Sequence, residues 1–223
     1  MESKQLVIVG AGEFALIAYE YFTFDSDYDV VAFSVHKEYI KDEEINGKPV
    51  VAFELLQDIY PPDLFEVFIA IPATNLNRLR TKMFCEAKEK GYLLASYISS
   101  HAFVWRNAII GENCFIFENN TIQPFVKIED NVILWSGNHI GHRTIIRENC
   151  FITSHSVISG YCEVGKGSFI GVNSTFNDKT SIAENCILGS GSVVTKHLRQ
   201  KETIYVGNPA KPFPRKSAFD VVL

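Results

Sequence analysis

The sequence predicts a small α/β domain followed by a triangular coil of parallel β-strands and a short tail. Three observations predict it. Aliphatic residues recur at every sixth position from Val104 to Val194. A column of small residues runs in phase with them, four positions later. The first hundred residues show instead short apolar runs, helix-like stretches and a glycine turn.

The repeat decides the second part of the chain. Stepping by six from Val104 to Val194 meets sixteen positions; fifteen are Val, Ile or Leu, and the other is Phe176. Those three residue types make up 55 of the 223 residues, so composition alone would supply about a quarter of the positions. Self-similarity at a fixed period marks a repeat architecture. The column four residues later includes Asn120, Asn138, Thr144, Ser156, Ser168, Ser174 and Ser192, with four of the five cysteines, Cys114, Cys150, Cys162 and Cys186. A buried cysteine packs as a small apolar residue, and no CxxC pair suggests a metal ribbon. Glycine after the anchor (Gly111, Gly141, Gly165, Gly171, Gly189) is expected to turn the backbone at each corner. Three hexapeptides close a coil of eighteen, and the run makes about five coils, a prism roughly 24 Å tall at strand-pairing distance.

Residues 1–98 read differently. The strand Leu6–Val9 runs into Gly10-Ala11-Gly12-Glu13-Phe14-Ala15 and a helix to about Phe24; further strands are expected over 29–33, 66–71 and 93–98, and a helix over 75–90. This order indicates a parallel sheet. The Gly10-x-Gly12-x-x-Ala15 turn offers backbone N–H groups at a helix start to an anion. The acidic residue that a nicotinamide dinucleotide would need after the second strand is absent from Phe33-Ser34-Val35-His36-Lys37, which argues against that cofactor. A ligand-free turn and a sugar-nucleotide site remain the two readings. Asn75, Asn77 and Arg78 follow the third strand, at the end of the sheet where ligands of open α/β domains lie. Arg78 would face a diphosphate or simply the helix surface.

Composition narrows the function. With 47% apolar and 21% charged residues the chain is an ordinary globule. A net charge of −5 argues against nucleic acid, which wants a basic face. No apolar run is long enough for a membrane span or a secretory signal, so the cytoplasm is the expected compartment.

The Gly10-Ala11-Gly12 turn, the unbroken hexapeptides, the Asn138-His139-Ile140-Gly141-His142 segment and the closing Gly207-Asn208-Pro209-Ala210-Lys211 resemble one group of enzymes. They are the hexapeptide-repeat sugar acetyltransferases of the sialic acid O-acetyltransferase and bacillosamine-pathway N-acetyltransferase type, and the likeness covers essentially residues 4–215. It implies a Rossmann-like α/β domain (1–98) holding a nucleotide sugar and a left-handed parallel β-helix of about five coils (99–197). A C-terminal tail (198–223) caps the helix and contributes to the coenzyme A site. It also implies a homotrimer, acetyl-CoA in a groove between prisms, and no metal. The implied reaction is acetyl transfer to the amino group of a nucleotide-linked 4-amino-4,6-dideoxy sugar for surface glycans such as O-antigen, with O-acetylation as the alternative. Relatives that bind UDP carry acidic residues where this chain has Ser34, Val35 and His36, so UDP, dTDP and GDP stay open.

Acetyl transfer needs a base for the acceptor proton, a donor for the oxyanion and a slot aligning the two substrates. Histidine titrates near neutrality and suits the base role. His142 stands third in its hexapeptide, beside a corner, and should point outward; Gly160, one coil on at the same phase, leaves open space next to the imidazole and counts among the cofactor-binding candidates. The resemblance places the base at His142, although the glutamate that follows it in the family is Arg143 here. His139 is the second candidate, for the base or the acceptor sugar. His155 is out of phase with His142, and His197 lies at the prism end. Gly189, Ser190 and Gly191 would meet the pantetheine with backbone groups, and Lys179, Lys196 or Lys211 the phosphates; Gly207, Pro209, Ala210 and Lys211 resemble the family's adenine-side loop, or simply cap the prism end. Trp135 and Phe125 would line the acceptor groove or pack an interface. Two other classes compete: a zinc β-helix of the carbonic anhydrase kind using His139, His142 and His155, and a scaffold without activity.

Overall fold

The computed structural model describes residues 4–223. It divides into two compact units: one runs to Pro72 and resumes over Lys82–Tyr97, and the other joins Ala73–Thr81 to Ile98–Leu223.

The N-terminal unit is built from β1 (Lys4–Val9), α1 (Glu13–Phe24), β2 (Tyr28–Val35), β3 (Glu44–Ile45), β4 (Lys48–Ala52), α2 (Leu56–Ile59) and β5 (Phe65–Ile69), with the later part of α3 (Arg78–Glu89). The sheet order is β3-β4-β2-β1-β5, with β4, β2, β1 and β5 parallel and β3 an antiparallel edge. Central β1 is covered on both sides, which is why Leu6–Val9 is an unbroken apolar run. Phe22 of α1 packs on Phe68 with ring centroids 5.2 Å apart, while Met83 and Ala87 of α3 cluster with Val7, Val9 and Ile69. The β3–β4 hairpin is missing from the sequence expectation, although its Asn46-Gly47 turn, both residues at positive φ, is a strong hairpin signal. The strand expected over 93–98 is reduced to a bridge at Leu94 and β6 (Tyr97–Ile98).

In the second unit, sixteen two-residue strands follow at six-residue steps among the described residues, from β7 (Phe103–Val104) to β22 (Val193–Val194). They form three stacked parallel sheets. The first face passes through His139–Ile140, the second through Ile145–Ile146 and the third through Phe151–Ile152. Register is eighteen residues throughout, as in Thr121↔His139↔Val157↔Thr175↔Val193. The aliphatic anchors fill one core, and the stack fits the left-handed parallel β-helix implied by the resemblance. The four column cysteines are buried inside it. Burial pushes the Cys114 and Cys150 thiols up to about 12, so each stays protonated, and they donate to Glu129 O and Gly165 O at 3.2 Å.

The corners turn at a different residue from the one expected. Positive φ falls three positions after each anchor from Ile110 to Leu188, mostly on Asn or Gly, as at Asn113, Asn119, Asn131, Asn149, Gly167 and Asn173. The glycines directly after the anchors have another cause. A Cβ on Gly141 would lie 2.5 Å from the Ser159 carbonyl carbon, and one on Gly165 2.5 Å from that of Ala183. They are small because the next coil passes too close.

Two segments close on this prism. Asn75, Leu76 and Asn77 all take positive φ, and this turn starts α3 against the second edge, between the second and third faces. Arg80, fully buried, donates there to Asn131 Oδ1 (3.2 Å) and to the carbonyls of Asn131, Asn149 and Cys150 (3.3, 3.1 and 3.2 Å). At the far end the chain takes up each sheet edge in turn. Leu198 bridges to Ile182, β23 (Thr203–Val206) pairs with Ile187–Leu188, and Gly207 and Ala210 bond to Val193. β24 (Lys211–Ser217) then runs antiparallel along β23.

The second face carries an ion-pair chain: Lys127 to Glu129 at 2.8 Å, Arg147 to Glu129 at 3.0 Å and Arg147 to Glu163 at 2.7 Å. Burial alone would raise the Glu129 carboxyl, but hydrogen bonds from Lys127, the Glu148 N–H and Arg147 outweigh it and hold it at about 2. A carboxylate depressed on folding stabilises the folded state above its unfolded value, about 4.3, and loses that contribution as pH falls toward the folded one. Unfolding midpoints measured between about pH 2 and 4.3 should therefore fall with pH, and Arg147→Met should make that slope shallower. A slope untouched by the substitution would mean that the pairing does not carry it.

Candidate active site

The first edge of the prism, between the first and second faces, carries His142, with Gly160 at the same phase one coil on and Asp178 at that phase two coils on; Lys179 stands one place further, at the phase of Arg143 and Tyr161. Lys179 stands two coils beyond His142, roughly 10 Å along the edge, and Lys196 lies after the last strand of the first face, in a loop two residues shorter than its predecessors, so that Leu198 bridges to Ile182. The backbone distinguishes this edge from the other two. The left-handed corner position holds Phe125, Arg143, Tyr161 and Lys179 here, whereas the second edge uses Asn113, Asn131, Asn149, Gly167 and Asn185. The third edge uses Asn119, Gly137, Asn173 and Gly191, with His155 as its one large residue. A bulky side chain in that conformation costs roughly 1 kcal/mol or more. Strain of this kind, retained at four successive corners of one edge, marks a site where the side chains matter.

His142 is exposed on this edge. Its N–H donates to Gln123 Oε1 at 2.9 Å, and its carbonyl accepts from Tyr161 N–H at 2.9 Å. The imidazole lies over Gly160, where a Cβ would be 2.5 Å from Cε1, and meets the Tyr161 ring edge-on at 5.2 Å and 83°. Arg143, where the resemblance implied a glutamate, turns its guanidinium over Phe125, 4.4 Å from the ring centroid. Among the described residues the ion pairs of the prism lie elsewhere, on the second face and at its end. The Gly160 N–H is already committed to Asp178 Oδ1 at 2.8 Å.

The other candidates separate. His139 lies on the first face between Thr121 and Val157, one strand before the His142 corner. Ser190 and Gly191 are exposed at the third edge, which bounds the other side of that face. Gly189 faces Val206, and Gly207 donates its N–H to Ser192 Oγ at 3.0 Å. Pro209 and Lys211 are exposed, but Ala210 is buried and donates its N–H to Val193 O at 2.8 Å, so only its neighbours are free to meet a ligand. Trp135 does not share the His142 edge. It stacks on Phe117 at 4.4 Å and 9° and meets Phe151, in an aromatic ladder on the third face. His155 packs over Gly137 on the third edge, and His197 Nδ1 lies 3.0 Å from Ser181 Oγ. Among the described residues no three His, Cys, Asp or Glu side chains gather as a metal would require.

Asn77 is corrected from a substrate-facing residue to a structural one, whereas Arg78 is exposed. Asn77 is buried and donates to Gly167 O at 3.0 Å, and Arg78 donates to Asn75 O at 3.1 Å and lies over Phe219. Their turn belongs to the coil unit.

In the N-terminal unit a cavity of about 280 Å³ is lined by Ala11, Gly12, Val35, Tyr39, Lys41, Asp42, Ile45 and Val50. It sits past the ends of β1 and β2, and Gly12 is the residue before α1. Gly10 has a steric role, since its φ is +137° and a Cβ would lie 2.6 Å from Ala70 O. Phe14 is buried, with its ring centroid 6.4 Å from that of Phe68, so it supports the fold rather than a ligand. Glu13 opens the first turn of α1 and is exposed. The sequence reading missed Tyr39, Lys41 and Asp42; it sought an acid directly after β2, whereas the chain returns to the cavity several residues later. A second cavity, about 530 Å³, lies on the second face among Arg147, Glu163, Lys166 and Arg199, and none of the candidates lines it.

A family model described as the GMPPB C-terminal domain matches residues 94–204. No curated protein matches the chain. Among solved structures, PerB from Caulobacter crescentus, in complex with CoA and GDP-perosamine, aligns with a TM-score of 0.84 at 26% identity, covering 94% of this chain and 97% of that one. The chain has the architecture and sequence pattern of a hexapeptide-repeat sugar acetyltransferase. Two further structures share the fold. The acetyltransferase domain of PglB from Neisseria gonorrhoeae, in complex with acetyl coenzyme A, aligns with a TM-score of 0.84 at 24% identity, over 95% of this chain and 100% of that one. WeeI from Acinetobacter baumannii aligns with a TM-score of 0.70 at 21% identity, over 94% of this chain and all of that one. No helix among the described residues is long and apolar enough to cross a membrane.

Proposed function

We propose that this hexapeptide-repeat acetyltransferase moves the acetyl group of acetyl-CoA onto the amino group of a nucleotide-linked amino-deoxy sugar, of the 4-amino-4,6-dideoxy kind. The observation that carries the reading is the first edge, where an exposed histidine is seated over a glycine and four successive left-handed corners carry bulky side chains. His142 accepts the proton that the acceptor nitrogen loses as it bonds to the acetyl carbon, and hands it to the departing thiolate sulfur. Lys179 and Lys196 would meet the phosphates of coenzyme A. Ser190, Gly191 and Gly207 border the opposite side of the first face and would meet the pantetheine. The Rossmann-like N-terminal cavity, with Gly12 at a helix start, would hold the nucleotide.

The first face and its edge leave Phe103, Trp105, Phe125, Val157 and Tyr161 exposed, which supports a homotrimer whose neighbouring prism covers them. The complex of PerB with GDP-perosamine favours the amine over the hydroxyl acceptor.

Acetyl transfer assayed on UDP-, dTDP- and GDP-linked 4-amino sugars tests the reading. One nucleotide series should turn over at least ten-fold faster than the others, a discrimination expected when polar base edges must find partners. Turnover of hydroxyl sugars alone would move the assignment to O-acetylation. No transfer to any acceptor would overturn it.

A further inference from the structure

We infer that Tyr161 is the positioning residue of His142, taking the place of the carboxylate that orients such a base elsewhere. The inference rests on the proposed role of His142. Three observations meet at this point. The residue after His142 is a cation, and it is turned to Phe125 rather than to the imidazole. The imidazole is held from below by the bare backbone of Gly160, where any side chain would displace it. The Tyr161 ring closes the seat edge-on, 5.2 Å away at 83°, and its N–H is bonded to the His142 carbonyl at 2.9 Å.

The backbone of Tyr161 gives the independent argument. Its φ is +56°, at a corner position where the other two edges use Asn or Gly at nine of ten sites. A tyrosine there works against the fold. Its ring is about half exposed, so burial does not explain its presence either. What the ring does is limit the rotation of an otherwise solvent-facing imidazole about its side-chain torsions. Gln123 fixes the backbone of His142 on the other side, through Oε1 at 2.9 Å. The base is thus oriented by shape and by an aromatic contact instead of by an ion pair. A base aligned in this way reacts from a narrower set of poses, and misplacement by about 1 Å is enough to cost a hundred-fold in rate.

The test uses the full chain with acetyl-CoA and its best nucleotide-sugar acceptor, comparing Tyr161→Asn, Tyr161→Phe and His142→Ala. Asparagine suits the left-handed corner, so Tyr161→Asn should melt at or above the wild-type temperature while kcat falls roughly ten- to a hundred-fold and KM for acetyl-CoA stays within about two-fold. Tyr161→Phe keeps the ring and should restore kcat to within about three-fold of wild type. Wild-type kcat in Tyr161→Asn would overturn the inference, and so would a loss confined to KM or an equal loss in Tyr161→Phe. If His142→Ala is itself fully active, the base assignment fails instead, and that outcome is distinct from the others.

Discussion

His142→Ala is expected to lower kcat for acetyl transfer by two to four orders of magnitude, the usual range for removing a general base. KM for acetyl-CoA should change little, because Lys179, Lys196 and the glycine corners lie coils away from the imidazole. The variant should fold, since His142 is exposed and its fold-determining bonds, to Gln123 and Tyr161, use backbone atoms. His142→Gln is the sharper companion: it preserves bulk over Gly160 but cannot take the proton at neutral pH. Steady-state kinetics with circular dichroism on both variants would decide the matter. Full activity in either variant would pass the base role to His139, which lies on the first face one strand before the His142 corner.

Arg80→Ala should produce the largest loss of stability. The guanidinium is fully buried and donates to the second edge at Asn131 Oδ1 and at the main-chain carbonyls of Asn131, Asn149 and Cys150. Desolvation lowers its pKa to about 9, still far enough above neutrality to keep the charge. Removing it strips charged donors from buried carbonyls and leaves a void beside Phe151, whose ring centroid is 5.7 Å from the guanidinium carbon. Together these should cost roughly 3 kcal/mol. For a chain of this size that is a fall of about 6 to 12 °C in the melting midpoint. Arg80→Lys should recover little of it, because an ammonium cannot serve acceptors spread across the planar fork. A midpoint for Arg80→Ala within about 2 °C of wild type would show that the bonds contribute no net stability.

The coil was legible because every turn of it repeats one packing problem. Ile140, Ile146 and Ile152 face the same core as their counterparts eighteen residues away, so each vote for the period was independent. The corner residue was equally visible in principle. Asn113, Asn119, Asn131, Asn149, Asn173 and Asn185 form a column three positions after the anchors, and asparagine is the side-chain-bearing residue that best tolerates positive φ. Attention to glycine hid it. Arg80 was not legible: it lies in Arg78-Leu79-Arg80-Thr81-Lys82, which reads as a solvated helix, and main-chain carbonyls leave no mark in a sequence. The same limit applies to Asn77. The N-terminal cavity was half legible. Gly12 announced it, but Asp42 enters only through the β3–β4 hairpin, whose register depends on the Asn46-Gly47 turn. At the candidate site, spacing alone aligned His142 with Gly160. The part played by Tyr161 needed its backbone angle.

The way the chain ends its stack has a consequence for solubility. A prism of parallel coils finishes in three open strand edges, each a template on which another molecule could add and extend a fibre. Here Leu198, β23 and the Gly207–Ala210 segment occupy those edges one by one, and β24 lies outermost with Pro212 and Pro214 in a strand flanked by Lys211 and Lys216. Proline cannot donate to an incoming strand, and lysine repels a second copy of itself. The reversed, proline-bearing strand therefore acts as a stopper against end-to-end accretion, and a chain cut before Thr203 would be expected to assemble into filaments.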